Sequence, residues 1–309
     1  MDIIFMGTPD FSVPSLKKVI ENYNVKAVFT QPDKPKGRGK KMCASPVKEV
    51  ALQSNIKVYQ PVKIKNESEI IDKIRKIKPD FIIVVAYGQI LSKEILDIPK
   101  YACINLHASL LPKLRGAAPI NWAIINGEKF AGNTTMLMGV GLDTGDMLLR
   151  QQVEITEEMT AGDLYHILRN KGADLLVETI DKYSKGIIEP EKQKDELSNY
   201  APMITKNTGK IIWNSASKKI ENLIKGLNPN PLAYTSYKGN IMKIHKAKSM
   251  DVDSKKVPGT VLKADKMGIL VACKEGSLLI NVIQFPGKKA MNVEDYIRGN
   301  DIEEETVLV

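Results

Sequence analysis

The 309 residues are 43% hydrophobic and 26% charged, with a net charge of +9, an ordinary globular composition with room for about two domains. The longest apolar run, Phe81–Tyr87, falls far short of the roughly 20 residues of a membrane span, and the N-terminus lacks the basic start of a signal peptide and the Arg/Ser richness of a transit peptide. Cysteines at 43, 103 and 273 and histidines at 107, 166 and 245 show no disulfide or metal-ligand spacing, so a reducing, cytoplasmic setting and no metal are expected.

Asp2–Gly7 reads as a buried strand ending on a glycine turn. Val13, Leu16, Val19, Ile20 and Tyr23 then share one helical face. Val25–Thr30 is a second β-rich run, and Gln31–Pro46 a polar loop. Within that loop five basic residues fall in the eight positions from Lys34 to Lys41. Val47–Asn55 reads as helix, Lys57–Tyr59 as a short extended piece, and Glu67–Lys78 as an amphipathic helix. Phe81–Ala86 and Ala102–Leu106 are continuous apolar runs, the mark of strands covered on both faces. Strands alternating with helices imply an α/β domain on a mostly parallel, Rossmann-like sheet.

A helix follows over Ala117–Asn126, then extended segments Thr134–Gly139 and Asp146–Ile155, then a long helix Thr160–Tyr183. Gly186–Lys206 turns polar, with two prolines and many charges, and reads as a linker. Beyond it comes a helix at Ser217–Leu227 and five short strands (232–238, 240–248, 258–263, 267–273, 277–285), the pattern of a small β-barrel, OB-like in type. The expected division is 1–189, a linker 190–208, and 209–309. From Lys206 to Lys256 there are 11 lysines against Glu221, Asp251 and Asp253. This excess is either a solvated face or a polyanion platform.

In an open α/β sheet, ligands bind beyond the carboxyl ends of the strands. Asn105 and His107 stand at such an end and, by alternation, on one side. A carboxamide and an imidazole side by side can both serve one developing oxyanion. The plainer reading is that both satisfy loop backbone. Ser109–Ile120, with two prolines and a glycine, is a shaped loop carrying Leu110, Leu111 and Leu114. Asp143 is flanked by Gly141 and Gly145 and can meet the histidine across a cleft, or simply form a turn. Gly139–Gly145 lacks dinucleotide-fingerprint spacing, and Gly37–Lys41 lacks the P-loop glycine and hydroxyl, so neither NAD nor ATP is expected.

These residues resemble the folate-dependent formyltransferase family, in Asn105, His107, Ser109-Leu110-Leu111-Pro112 and Gly141-Leu142-Asp143-Thr144-Gly145. Gly7–Phe11, Gln31–Lys41 and Pro286–Met291 extend the resemblance along nearly the whole chain. It is nearest to the members whose acceptor is methionine carried on initiator tRNA. The resemblance implies 10-formyltetrahydrofolate as a co-substrate, with no tightly bound cofactor, and direct transfer without a covalent enzyme intermediate. It gives Asn105, His107 and Asp143 the catalytic roles. Asn105 and His107 stabilise the oxyanion, and Asp143 orients the imidazole and helps move protons. Folate contacts are implied at Tyr87, Gly88, Gln89, Ile90 and Leu91, at Ser109, Leu110, Leu111 and Pro112, and at Val140, Gly141 and Leu142. Gly139 departs from the family, which commonly carries a larger polar residue there. tRNA contacts are implied at Phe11, Lys34, Lys36, Arg38, Lys40 and Lys41, with the lysine-rich C-terminal part tracking phosphates. Tyr234 and Tyr237 either stack on bases or pack. RNA rather than DNA is the implied polyanion, no membrane partner is implied, and nothing requires more than a monomer. Two competing readings change the acceptor (an amino-sugar nucleotide, a purine-precursor amine or water) or remove the chemistry, leaving a non-catalytic RNA-binding protein.

Overall fold

A computed structural model describes residues 1–36, Gly39 and 41–309, the side chain of Lys36 excepted. The chain forms two compact units. One comprises Met1–Gly116, Ala131–Val153 and Tyr165–Tyr200, and the other Ala117–Phe130, Glu154–Leu164 and Ala201–Val309.

The first unit is built on a seven-stranded sheet. Its spatial order is Met147–Glu154, Phe130–Leu137, Ala102–His107, Phe81–Val85, Asp2–Gly7, Asn24–Phe29, Val58–Tyr59. The last five run parallel, and Phe130–Leu137 is antiparallel to Ala102–His107. The chain winds outward from Asp2–Gly7 in one direction and returns to Phe81–Val85 on its other side. The crevice where the order reverses therefore opens between the ends of these two strands. Hydroxyls of the segment after Asp2–Gly7 tie the two strand ends together: Ser12 Oγ donates to Val85 O at 2.6 Å and Thr8 Oγ to Tyr87 O at 2.9 Å. One sheet face carries Ile4, Met6, Phe29, Ile82 and Val84 against Ile71 and Ile74 of helix Ser68–Ile77. On the other lies helix Ala161–Ser184, close enough that a Cβ on Gly172 would sit 2.8 Å from Leu106.

In the second unit the strands Ala233–Tyr237, Asn240–Met250, Ser277–Gln284, Gly268–Ala272 and Val261–Asp265 pair antiparallel in that order. The two edge strands are joined through the C-terminal tail. Ser236 and Val309 exchange backbone hydrogen bonds of 2.6 and 3.1 Å, Leu308 N donates to Gly259 O and Val261 N to Thr306 O, both at 2.8 Å. This closure removes the free edges, as a barrel does. Helix Ser217–Gly226 buries Ile220 and Ile224 in the barrel core.

Several elements differ from the sequence expectation. The strand expected at Thr134–Gly139 spans Phe130–Leu137. Its buried centre is polar, Asn133, Thr134 and Thr135, and each finds a partner: Leu168 O, Ser109 O and the Thr179 hydroxyl. Periodicity in apolar residues cannot mark such a strand. The loop Gln31–Pro46 contains a hairpin, Lys34–Lys36 with Lys41–Cys43. Short helices at Lys93–Leu96 and Val293–Ile297 have no counterpart in the sequence expectation. The Gly186–Lys206 stretch carries a 3₁₀ turn, Asp195–Leu197, and a short strand, Tyr200–Ala201.

Candidate active site

Asn105 and His107 lie near the end of strand Ala102–His107, with Leu106 between them turned to the opposite face against Gly172. Alternation therefore does put the two on one side. His107 is 7% exposed. Its Nε2 lies 3.0 Å from Leu114 O. A carbonyl only accepts, so Nε2 carries hydrogen there. Nδ1 is 3.7 Å from Asp143 Oδ1, an ion-pair distance longer than a direct hydrogen bond. The other carboxylate oxygen of Asp143 accepts from Gly116 N at 2.9 Å. Asn105 is half-buried, and its carboxamide has no hydrogen-bond partner among the described residues. Two residues before it, Cys103 is buried and its thiol pKa is pushed up to about 12 by desolvation. That side chain offers no thiolate nucleophile.

The geometry depends on backbone that carries no sequence signal. Leu114 (φ 58°) and Asp143 (φ 53°) both adopt left-handed conformations, which cost a non-glycine residue roughly 1–2 kcal/mol. These conformations aim the Leu114 carbonyl at His107 and the Asp143 carboxylate at Gly116. The loop between is tied to the sheet: Thr134 Oγ donates to Ser109 O at 2.7 Å and accepts from Leu111 N at 3.1 Å.

Of the positions implied for folate, Ser109 and Leu111 are buried, and the Ser109 hydroxyl donates to Lys113 O. What they can offer a ligand is backbone. The Leu111–Pro112 bond is cis, and Leu110 packs closely against Gly132. Tyr87 and Leu91 are buried. The Tyr87 hydroxyl has no partner among the described residues, and burial pushes its pKa up. Gln89 is occupied by its own chain, accepting from Ile64 N and donating to Pro61 O, both at 2.8 Å. Gly88 takes a left-handed φ of 82°. Ile90, Val140 and Leu142 present exposed apolar surface, and Gly141 sits against Thr144.

Of the positions implied for tRNA, Phe11 is buried edge-on to Tyr165, with ring centroids 5.3 Å apart. Lys34 and Lys41 are exposed on the hairpin. Arg38, Lys40 and the side chain of Lys36 lie outside the described residues. The hairpin root is clamped. Thr30 and Ser45 share a hydroxyl hydrogen bond of 2.7 Å. Asp33 accepts from Lys48 Nζ and Gln60 Nε2, both at 2.7 Å. These hydrogen bonds, with Lys48 foremost, hold the Asp33 carboxyl below the usual range. Gln31 Nε2 reaches Gly88 O at 3.1 Å, joining the root to the Tyr87–Leu91 segment.

In the second unit, Lys218, Lys225, Lys238, Lys246 and Lys256 are ion-paired with Glu221, Glu303, Glu158 or Glu305. Lys243 and Lys248 are exposed on strand Asn240–Met250 and make no ion pair among the described residues. Tyr237 packs, its hydroxyl accepting from Glu303 N, and Tyr234 is half-buried.

A formyl transferase pattern matches residues 1–180, and a formyl transferase C-terminal domain pattern matches 203–301. The chain is 64% identical over 308 residues to the methionyl-tRNA formyltransferase of Clostridium acetobutylicum, covering 100% of this chain and 99% of the relative. It is 63% identical over 308 residues to that of Clostridium novyi, covering 100% of both. Among solved structures, the sugar 3N-formyl transferase WlaRD, determined in the presence of dTDP and 5-N-formyl-THF, shares the fold. Its TM-score is 0.69 at 21% identity, over 94% of this chain and 99% of that one. The chain thus belongs to the formyl transferase family, among the methionyl-tRNA formyltransferases.

Proposed function

We propose that this chain transfers the formyl group of 10-formyltetrahydrofolate to the α-amine of methionine esterified to initiator tRNA, with Asn105, His107 and Asp143 as the catalytic residues. The observation that carries the chemistry is the convergence of His107 and Asp143 at 3.7 Å on the strand face that bears the carboxamide of Asn105. The amine nitrogen attacks the formyl carbon, and the carbonyl electrons move to oxygen. Asn105 donates a hydrogen bond to that oxyanion, an interaction worth roughly 3–4 kcal/mol when preorganised. Collapse breaks the bond to N10, which receives the proton lost by the amine. With Nε2–H engaged on Leu114, Nδ1 is the ring nitrogen through which His107 exchanges a proton with Asp143 and the reacting groups.

Folate occupies the crevice beside Phe81–Val85, reached by the backbone of Tyr87–Leu91 and Ser109–Pro112 and by Val140–Leu142. The hairpin lysines and the exposed Lys243 and Lys248 of strand Asn240–Met250 meet tRNA phosphates. The chemistry belongs to 1–189 and the tRNA platform to 209–309, with 190–208 between them. The protein works as a cytoplasmic monomer. An amino-sugar acceptor is disfavoured by the two basic regions, which suit a polyanion.

Incubation with 10-formyltetrahydrofolate and methionine-charged initiator tRNA is expected to give formylmethionyl-tRNA. Retained tRNA binding without transfer would sink the enzymatic reading. Asp143→Asn is expected to lower kcat at least about 100-fold with near-normal tRNA affinity. Loss of tRNA binding in that variant would make Asp143 structural.

A further inference from the structure

Gly186–Lys206 reads in sequence as a tether, yet its polar side chains turn toward the reacting residues. The Gln193 Nε2 amide donates to Asp143 O at 2.9 Å and to Gly145 O at 2.7 Å. Its Oε1 accepts from Arg115 Nε at 3.0 Å and Nη2 at 2.8 Å. Arg115, itself largely buried, is also paired with Asp195 at 2.8 Å. Further along the same stretch, Asn199 Oδ1 accepts from Leu114 N at 2.5 Å, and Asn199 O accepts from Arg115 N at 3.0 Å. Leu114 is the residue whose carbonyl receives His107 Nε2.

We infer that Gln193 is a positioning residue for formyl transfer, setting where Asp143 stands relative to His107, while Asn199 holds the imidazole through Leu114. The inference rests on Asn105, His107 and Asp143 being the catalytic residues. A primary amide has two N–H donors and an oxygen with two lone pairs, and Gln193 uses all four on protein groups. It has nothing left for a substrate, so its contribution passes through Asp143. The need for it is local: Asp143 and Leu114 both sit in left-handed backbone, conformations that persist only where their surroundings over-determine them. Asp143 stands 3.7 Å from His107, so a small loop displacement changes the separation and orientation of the two, and a shift of about 1 Å can cost 10²-fold in rate.

Gln193→Glu divides the role. A carboxylate keeps the Arg115 pairing and turns the donors facing Asp143 O and Gly145 O into acceptors. Kinetics of wild type, Gln193→Glu, Gln193→Ala and Asp143→Asn are measured with both substrates across pH, beside thermal melting. Gln193→Glu is expected to lose roughly 10- to 100-fold in kcat while both KM values stay within about twofold, and to displace the pH profile of kcat. Gln193→Ala, which buries no new charge, is expected to show the same split. Wild-type kcat and pH profile in Gln193→Glu, or decreases in both variants that only track the folded fraction, overturn the inference. An active Asp143→Asn enzyme would overturn the catalytic reading instead. An inactive one beside a normal Gln193→Glu leaves that reading standing and removes this one alone.

Discussion

Residue. Glu221 is 4% exposed, on helix Ser217–Gly226, and is bridged by Lys218 at 3.0 Å and Lys225 at 3.1 Å. Burial alone would raise its pKa, but the two lysines outweigh burial and hold the carboxyl below the ordinary value near 4.5. A depressed folded value means the stabilisation is fully present above the unfolded value and lost as pH falls through the folded one. Thermal melting of wild type and Glu221→Gln is therefore expected to show a gap at pH 7 that shrinks below about pH 4.5. A gap constant down to about pH 3 would remove Glu221 from the acid response. At the site, alternation of strand side chains is enough to place Asn105 and His107 on one face. The Leu114 and Gly116 backbone partners are not legible in the sequence, because a left-handed leucine or aspartate is imposed by distant groups and not by its own preference.

Element. The apolar runs at Asp2–Gly7, Phe81–Val85 and Ala102–His107 announce their strands because both faces are covered. The basic hairpin does not announce itself: its strands are three residues each, with lysine and proline in one and a lysine in the other. Neutralising Lys34, Lys36, Arg38, Lys40 and Lys41 together is expected to weaken tRNA binding and flatten its dependence on salt. Each phosphate neutralisation that disappears reduces the log–log slope by roughly 0.7–0.9. Filter binding from about 50 to 200 mM salt measures this, and an unchanged slope excludes the hairpin from phosphate recognition.

Whole molecule. The barrel of the second unit is closed by its last residues, through hydrogen bonds of Thr306, Leu308 and Val309 to both edges. Removing 306–309 is expected to expose two edges, lower the melting temperature of this unit and impair tRNA binding more than formyl-donor binding. Melting and affinity equal to those of the full chain would show the tail to be dispensable. Composition and hydrophobic period by themselves determine the α/β class, the strand-end pair and the two basic regions, since each is written in neighbouring residues. Only the tertiary structure decides that His107 faces Asp143 through Nδ1, and that the tail closes the barrel. It also decides that Gln193 and Asn199, in a stretch that reads as tether, grip the loops on either side of the histidine. Each of these joins groups far apart in the chain, mostly through backbone carbonyls and amides, which nearly every residue possesses and no side-chain pattern can mark.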